Sequence, residues 1–461
     1  MPVNDQHKEY RKNLPLWGKV GDCVEGAEAV KSKGTTYLPK PNPSDDSSEN
    51  AERYSQYKTR ASFVGFTGHT KAGLLGLVFR KNTKVELPAN LEYLKQDANG
   101  AGLSLDQMAR SATGETLEAG RHGLLTDYPE ASPGLSRAQV EQMKLRANIL
   151  AYPAKSILNW RTEQVGGVTM LSLVVLAEPV EEVAPDGFSV DEKTRYRVLR
   201  LEDGLYHQEI YSDDGELVGF SEPKNASGQR WKEIPFAFSG SQNNDPSVDK
   251  APLLDIAELN IAHYRNSADY EESSFMVGQP TPYVAGLSQA WVDEVMKGGL
   301  MLGSRTAWAL PDGGSAGLLQ ADPNQMPLKG MGEKEQQMIK IGAKIITDTT
   351  GQETAEGAKI RFAGSTSQLG ILVGNVEAAM IKSIKWCGEF MGESGDPELE
   401  INRQFYDATL DPQMVIAQIQ LLDRGVIATN DVRDGLRRGG MISDQRTNED
   451  IDTEAETAEI L

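Results

Sequence analysis

The chain reads as an α+β protein, with antiparallel strands in its middle and helices on both sides. Three observations carry that prediction. Between Val168 and Phe238, short apolar runs alternate with acidic glycine turns, the texture of strands and hairpins. From Pro252 onward, apolar residues recur at helical spacing. The stretch from Leu369 to Met391 then holds one helical stripe through seven positions. At 461 residues, the chain has room for about two to four globular units with sizeable cores.

Taken in order, Pro41 to Ser48 is a polar, proline-punctuated loop. The stretch ERYSQYKTRASFVGFTGHTKAGLLGLVFRK follows as a helical segment, with Tyr54, Tyr57, Ala61 and Val64 on one face and Gly65, Gly68, Gly73 and Gly76 as breaks or close contacts. Ser104 and Gln107 have capping-box spacing ahead of Met108, Ala112 and Leu117. In the middle, Val168 to Ala177 is a largely buried strand. RYRVLRL from Arg195 and LYHQEIY from Leu205 form two more across Glu202-Asp203-Gly204. Asp213-Asp214-Gly215 marks the next turn, and WKEIPFAF from Trp231 reads as a further strand, giving a meander of at least three.

Leu253, Ala257, Ile261, Tyr264 and Ala268 trace one helix face, with Pro252 suited to the first turn. Gly278 to Pro327 is rich in Gly and Pro, with strand-like TPYVAGL and RTAWAL and a short helix at Trp291 to Met296. A second helix runs from Gly332 to Ile346, with Met338, Ile341 and Ile345 on one face. Ser365 and Gln368 form another capping-box signature before the long stripe of Leu369, Val373, Val376, Met380, Ile384, Cys387 and Met391. That stripe fits either packing against neighbouring long helices or a single helix buried in one subunit. Near the end, Asp411-Pro412 starts a helix that turns Val415, Ile416, Ile419 and Leu422 inward. Gly425 stops it, Thr429 caps the next helix and Gly439-Gly440 ends that one. The acidic tail after Asn448 reads as solvated.

Composition narrows the partners. The net charge of −20 disfavours a general DNA binder, because affinity for nucleic acid comes from cations that neutralise phosphates. Cys23 and Cys387 form no CxxC pattern, which fits a reducing compartment and gives no zinc or disulfide framework. With no signal-peptide core and no long apolar run, a cytosolic, soluble protein is expected.

The motifs weigh against an enzyme. DTTGQE from Asp348 resembles the DTAGQE switch of small GTPases, yet no GxxxxGK[ST] loop accompanies it. His7, His69, His122, His207 and His263 are dispersed and lack ligand spacing. No GxSxG elbow occurs, and the GGSAG from Gly313 reads as a hairpin loop rather than a dinucleotide fingerprint. Paired carboxylates such as Glu181-Glu182 and Glu271-Glu272 sit in acidic surroundings as solvated charge. QLLDRGVIATNDVRDGLRRGGMI has a helix-turn-helix outline, but Asn430, Asp431 and Asp434 occupy the positions that would meet bases. Arg433, Arg437 and Arg438 lie at the C-terminal end, where the helix dipole favours cations without DNA. A structural αα-hairpin is the better reading.

Several motifs together resemble the portal proteins, or head-tail connectors, of tailed bacteriophages. They are KGTTYLP, YSQYKTRASFVGFTGHTKAGLLGLVFRK, ILAYPAKSILNWR from Ile149, APLLDIAELNIAHYRNSADYEESSF from Ala251, and LLDRGVIATNDVRDGLRRGGMI. The resemblance spans about Thr35 to Thr447. It implies an α+β portal fold with wing, helical stem, small α/β clip and helical crown, assembled as a ring of typically twelve copies. By this resemblance residues 1–250 are wing, 251–277 the first stem helix, 278–331 the clip and 332–346 the second stem helix. Residues 347–362 are the tunnel loop, 363–395 the long wing helix, and 396–461 the crown with its acidic tail.

The same resemblance implies a channel at a capsid vertex for DNA packaging and ejection, without catalysis, metal or cofactor. Double-stranded DNA passes through non-specifically; terminase, a head-tail adaptor and the major capsid protein or scaffold are the expected partners. The virion vertex is the expected location, with the host cytoplasm during assembly and no membrane. Thr350, Gln352, Glu353, Glu356 and Lys359 are the channel-facing tunnel-loop candidates, and Arg433, Arg437 and Arg438 the crown subunit-contact candidates. An acidic lumen would repel the DNA backbone within a screening length of about 8 Å and so let it slide. Another ring-forming structural or adaptor protein of a virion is the alternative.

Overall fold

A computed structural model describes residues 2–129, 142–143, 145–183, 186–278, 281–295, 310–319, 324–346, 367–405, 419–422, 424–438, 442 and 446–459. Helix α1 is Lys8–Glu25, α2 Ala27–Ser32, α3 Ser48–Arg60, α4 Phe66–Val78 and α5 Leu105–Ala119, with strand β1 at Lys84–Glu86. The strands that follow are β2 Arg121–Asp127, β3 Asn148–Pro153, β4 Ile157–Val165, β5 Val168–Val183, β6 Val190–Glu202, β7 Leu205–Tyr211, β8 Leu217–Ser221 and β9 Phe236–Gly240. Then come α6 Leu254–Gly278, β10 Thr281–Ala285, α7 Gln289–Val295, β11 Ser315–Leu319, α8 Met326–Ile346 and α9 Gln368–Met391. Strand β12 is Glu398–Glu400, α10 Thr429–Arg438 and α11 Asn448–Glu459. The chain divides into two compact units. One comprises Met1–Gly21, His69–Leu254 and Ile341–Leu461; the other comprises Asp22–Gly68 and Asp255–Lys340.

The first unit is built on two antiparallel sheets. One has the order β3-β2-β9, the other the consecutive order β4-β5-β6-β7-β8. The expected meander is therefore present with five strands. The expected Asp203-Gly204 turn forms, both residues at positive φ (53° and 71°), and Gly166-Gly167 makes the same two-residue turn between β4 and β5 (58° and 88°), the geometry that matches strand twist. The strand expected from Trp231 is shorter than predicted, starts only at Phe236, and pairs with β2 outside the meander. Pro235 explains the break, since it has no N–H for a ladder.

Helix α9 covers β9 and β2 and also meets α5. Its predicted stripe of Leu369, Val373, Val376, Met380, Ile384 and Cys387 is buried, and so is a second one, with Leu372, Ala379, Ser383, Trp386 and Phe390. A helix apolar on most of its circumference belongs inside a core. The seam is thus satisfied within one chain, and neighbouring long helices are not needed to explain it. Its N-cap is Ser367, whose hydroxyl accepts from Gly370 N at 3.0 Å, rather than Ser365, which lies outside the described residues.

A buried polar joint links the two sheets. Arg197 on β6 reaches Asp127 on β2 (3.0 Å), Glu178 on β5 (2.7 Å) and Gln208 on β7 (2.9 Å). Tyr152 on β3 donates to Glu178 at 2.6 Å, and Arg195 adds a contact at 2.9 Å. Burial would raise the Glu178 carboxyl, but Arg197, Tyr152 and Arg195 outweigh it and hold Glu178 below the usual range.

Other expectations needed correction. The Ser104–Gln107 capping box forms as read, and Met108, Ala112 and Leu117 are buried. The segment from Glu52 is two helices, because the chain runs extended from Ala61 to Gly65. Ser62 exchanges its backbone bonds with the Ser267 hydroxyl there, and Val64 is exposed. Of the strand expected at Val168–Ala177, only Val174, Val175 and Leu176 are buried, and it continues to Val183. The helix expected from Gly332 starts six residues early, at Met326: Asn324 accepts from Met326 N at 3.1 Å, and Pro327 is tolerated in a first turn. The helix expected from Pro252 spans Leu254–Gly278, and TPYVA pairs with Ser315–Leu319, so Ser315, Ala316 and Gly317 of the GGSAG stretch are strand rather than loop. RTAWA, Val415, Ile416 and the Gly439-Gly440 stop lie outside the described residues.

Ile419, expected inward, is 46% exposed. Helix α10 is not capped by Thr429; the Asp431 carboxylate accepts from Ala428 N at 2.8 Å instead. The acidic tail is helical, started by a reciprocal pair in which Thr447 N donates to Asp450 and Asp450 N to the Thr447 hydroxyl.

His122 on β2 is fully buried, and desolvation drops its pKa from 6.5 to about 4. The unfolded chain therefore binds a proton that the folded chain refuses between those values. Its contribution is fully present above pH 6.5 and declines as pH falls towards 4, by about 3 kcal/mol in total. Urea denaturation at stepped pH should show that decline, and His122→Gln should flatten it.

Candidate functional site

The sequence-predicted positions fall in two groups. Thr350, Gln352, Glu353, Glu356 and Lys359 all lie outside the described residues. The crown arginines sit on α10. Arg433 pairs with Asp452 at 2.5 Å; Arg437 reaches Asp434 (2.9 Å), Arg446 O (2.9 Å) and Asn448 (2.5 Å). Arg438 is the last residue of that helix. Arg433 and Arg437 thus bind α11 to α10 within the chain. The base-reading positions are occupied in the same way: Asn430 accepts from Asn448, Asp431 from Ala428 N, and Asp434 holds Arg437. These contacts tie α10 to α11; most of the first helix of the expected αα-hairpin, from Asp411, lies outside the described residues.

In the second unit, helices α6 and α8 run antiparallel. Asn266 lies where a side chain on Gly330 would stand, and His263 meets Glu335 at 3.1 Å one turn away. The inner face of α6 is the predicted stripe: Ala257, Ile261, Tyr264 and Ala268 are buried. Polar clamps fix the same helix to the Asp22–Gly68 segment. Fully buried Asn260 accepts from Thr67 N (3.1 Å) and Oγ1 (3.0 Å) and donates to Val64 O (2.8 Å), which caps α4 from another element. Tyr57 donates to Asp269 at 2.6 Å, and Arg60 pairs with Glu272. Burial and Asp269 both push the Tyr57 phenol up, so it stays a donor.

The outer surface of this unit is different. Phe275, Met276, Tyr283, Leu318, Leu319, Met326, Leu328 and Ile339 are all exposed, Ile339 to 57%. On α8, Leu328, Gly332 and Ile339 follow at helical spacing and form an uncovered stripe. A concentration of bare apolar side chains on one helix pair and its hairpin marks an interaction surface.

Two cavities among the described residues of the first unit bear on function. The larger, about 480 Å³, lies on the five-stranded sheet. Leu173, Val175 and Val198 are among its lining residues, with Arg161, Arg200, Tyr211, Asp213, Asp214 and the N-terminal residues Pro2 to Asp5. Nearby Glu209 accepts from Arg200, His207 and Tyr211; despite burial these hold its carboxyl low, so it is an ionised acceptor rather than a poised acid. The smaller cavity, about 180 Å³, lies beside α1 and is lined by Leu16, Trp17 and Val248 among others. Among the described residues no three His, Cys, Asp or Glu side chains are grouped to hold a metal ion, and no helix is long and apolar enough to cross a membrane.

Residues 252–391 match a family model described only as a domain of unknown function, DUF4055. No curated protein matches the chain. Among solved structures, the chain is similar to one in the virion of a native gene transfer agent particle, with 14% identity and a TM-score of 0.42; the match covers 90% of this chain and 98% of that one. It is also similar to a chain in the neck of an empty gene transfer agent particle, with 13% identity, a TM-score of 0.42 and the same coverage.

The Asn260 clamp is directly testable. Asn260→Ala leaves the Thr67 and Val64 backbone groups without their buried partner and should cost about 1–3 kcal/mol. Hydrogen exchange should accelerate first between residues 62 and 68.

Proposed function

We propose that this chain is the subunit of a portal, a ring at a capsid vertex through which double-stranded DNA enters during packaging and leaves during ejection. The observation that carries the reading is the α6–α8 helix pair with its β10–β11 hairpin. This element is clamped on one side by Asn260, Tyr57 and Arg60, and carries exposed apolar side chains at Met276, Tyr283, Leu318, Leu319, Leu328 and Ile339. A chain that stayed alone would expose that apolar surface to water, whereas side-by-side copies in a ring bury it. The sequence resemblance names the same residues as stem and clip.

In this reading the chain performs no catalysis. The net charge of −20 supports a wall that DNA passes without being gripped. Terminase and a head-tail adaptor dock on the ring, and the copy number is twelve.

Electron microscopy of the purified chain should show rings with a central hole. Ile339→Asp combined with Leu328→Asp should shift the population towards monomers while leaving monomer stability within about 0.5 kcal/mol, since both positions are exposed. A wild-type chain that remains monomeric across buffers and concentrations would end the proposal.

A further inference from the structure

Beyond Glu178 and Arg195, strands β5 and β6 pair only with each other among the described residues, because β4 starts opposite Leu176 and β7 ends opposite Tyr196. The result is a two-stranded finger of five residue pairs, about 17 Å long at ~3.3 Å per residue. Such ribbons are marginal alone in water. This one also places like charges directly opposite each other, Glu181 against Glu192 and Glu182 against Asp191. Opposed like charges destabilise a strand pair, and Lys193, bonded to Glu182 at 2.6 Å, is the finger's one cation among the described residues.

Asp186 accepts from Phe188 N (2.9 Å), Ser189 N (3.1 Å) and the Ser189 hydroxyl (2.9 Å), and Gly187 takes the left-handed φ of 76° that the turn requires. This turn holds Phe188 out in solvent, 93% exposed. A pre-formed turn that presents a bare aromatic ring on an acidic stalk is a knob without its socket.

A matching socket occurs on the same chain. The cavity of about 180 Å³ beside α1 is lined by apolar Leu16, Trp17, Val248 and Ala251 and by two cations, Lys12 and Lys250, against one carboxylate, Glu9, which pairs with Lys12 at 3.6 Å. Its volume suits one aromatic side chain and is below the roughly 300 Å³ at which small-molecule pockets begin. The adjoining first turns of α1 expose Lys8, Arg11 and Lys12 against the single carboxylate of Glu9. Acidic knob and basic socket are complementary in both shape and charge, and a nucleic-acid occupant of the finger is excluded by its sign.

From this pairing we infer that Phe188 of one copy inserts into the α1 socket of the next copy, with the finger carboxylates against Lys8, Arg11 and Lys12. The contact is head-to-tail, a repeating geometry that forms a ring where the rotation between copies closes. It rests on the ring reading above only for the number of copies.

Cysteine trapping tests the pairing on the full chain. The native Cys23 and Cys387 are buried and stay out of the chemistry. Single variants Phe188→Cys and Lys12→Cys, mixed and mildly oxidised, should give a disulfide-linked dimer that neither variant forms alone. Phe188→Cys mixed with Glu92→Cys, an exposed position elsewhere on the same unit, should not. Phe188→Ala should raise the protomer concentration at half-assembly at least about tenfold. The double variant Arg11→Glu/Lys12→Glu should weaken assembly similarly and be rescued by Glu181→Lys/Glu192→Lys. Phe188→Cys that cross-links to itself would overturn the socket in favour of finger-to-finger contact. Rings that assemble normally in Phe188→Ala, without the mixed disulfide, would remove this contact and leave the ring reading standing. A chain that never assembles removes both.

Discussion

The joint centred on Arg197 decides more of the first unit than any other interaction. Its guanidinium spans Asp127, Glu178 and Gln208, and so ties one sheet to the other through side chains that are nearly withdrawn from water. A buried ion pair is weak evidence for net stability, because desolvating the charges offsets most of their attraction. Its value lies in direction. Glu178 and Arg195 are the last residues of β5 and β6 before the finger, so the network that orients the two sheets also sets the angle at which the finger leaves them. Removing Arg197 would take the ion pair from Asp127 and leave Glu178 with only the more exposed Arg195 and the Tyr152 hydroxyl.

Around this joint the core is built in an ordinary way. Helix α9 fills the space above β2 and β9, and Thr126 on β2 donates to Ser383 O at 3.1 Å to register helix and sheet. Arg121, at the start of β2, lies between the rings of Trp160 (3.8 Å) and Phe238 (3.9 Å), and none of its nitrogens has a hydrogen-bond partner among the described residues. Burial draws its pKa down to about 9, although Asp245 and Asp249 oppose that. The aromatic faces supply what partner oxygens do not.

What could be read in the sequence was what local chemistry decides. The Ser104–Gln107 box, the Asp203-Gly204 turn, and the stripes from Leu253 and Leu369 each depend on residues a few positions apart, and each formed. Features decided by distant partners were hidden. The extended stretch from Ala61 to Gly65 exists because Asn260 and Ser267 supply its hydrogen bonds from about two hundred residues away. The pairing of β2 with β9 spans more than a hundred residues and leaves no periodic mark. Helix α1 was masked by Pro15, Gly18 and Gly21, although its Trp17 and Val20 are buried. The tail helix was legible in Thr447-Asn448-Glu449-Asp450, a capping signature that acidic composition overshadowed. The finger lay in plain view as Glu181-Glu182 and Asp191-Glu192, but like-charge opposition appears only when the register is known.

That register changes what the net charge means. Copies of a chain carrying −20 repel one another, yet at physiological salt the repulsion is screened beyond roughly 8 Å. Assembly is then governed by what meets at close range, where local charge matters more than the total. On the first unit the local charges are segregated, with carboxylates on the finger and cations on the first turns of α1. Two fingers repel, and so do two sockets, while finger and socket attract. Charge of this kind adds little to affinity but selects one orientation over another. It disfavours the self-complementary contact that would end at a dimer and favours the head-to-tail contact that continues around a circle. On the proposed portal reading, an overall acidity that would keep a DNA path smooth is in this way compatible with specific assembly, provided the few cations are held at the edges where copies meet.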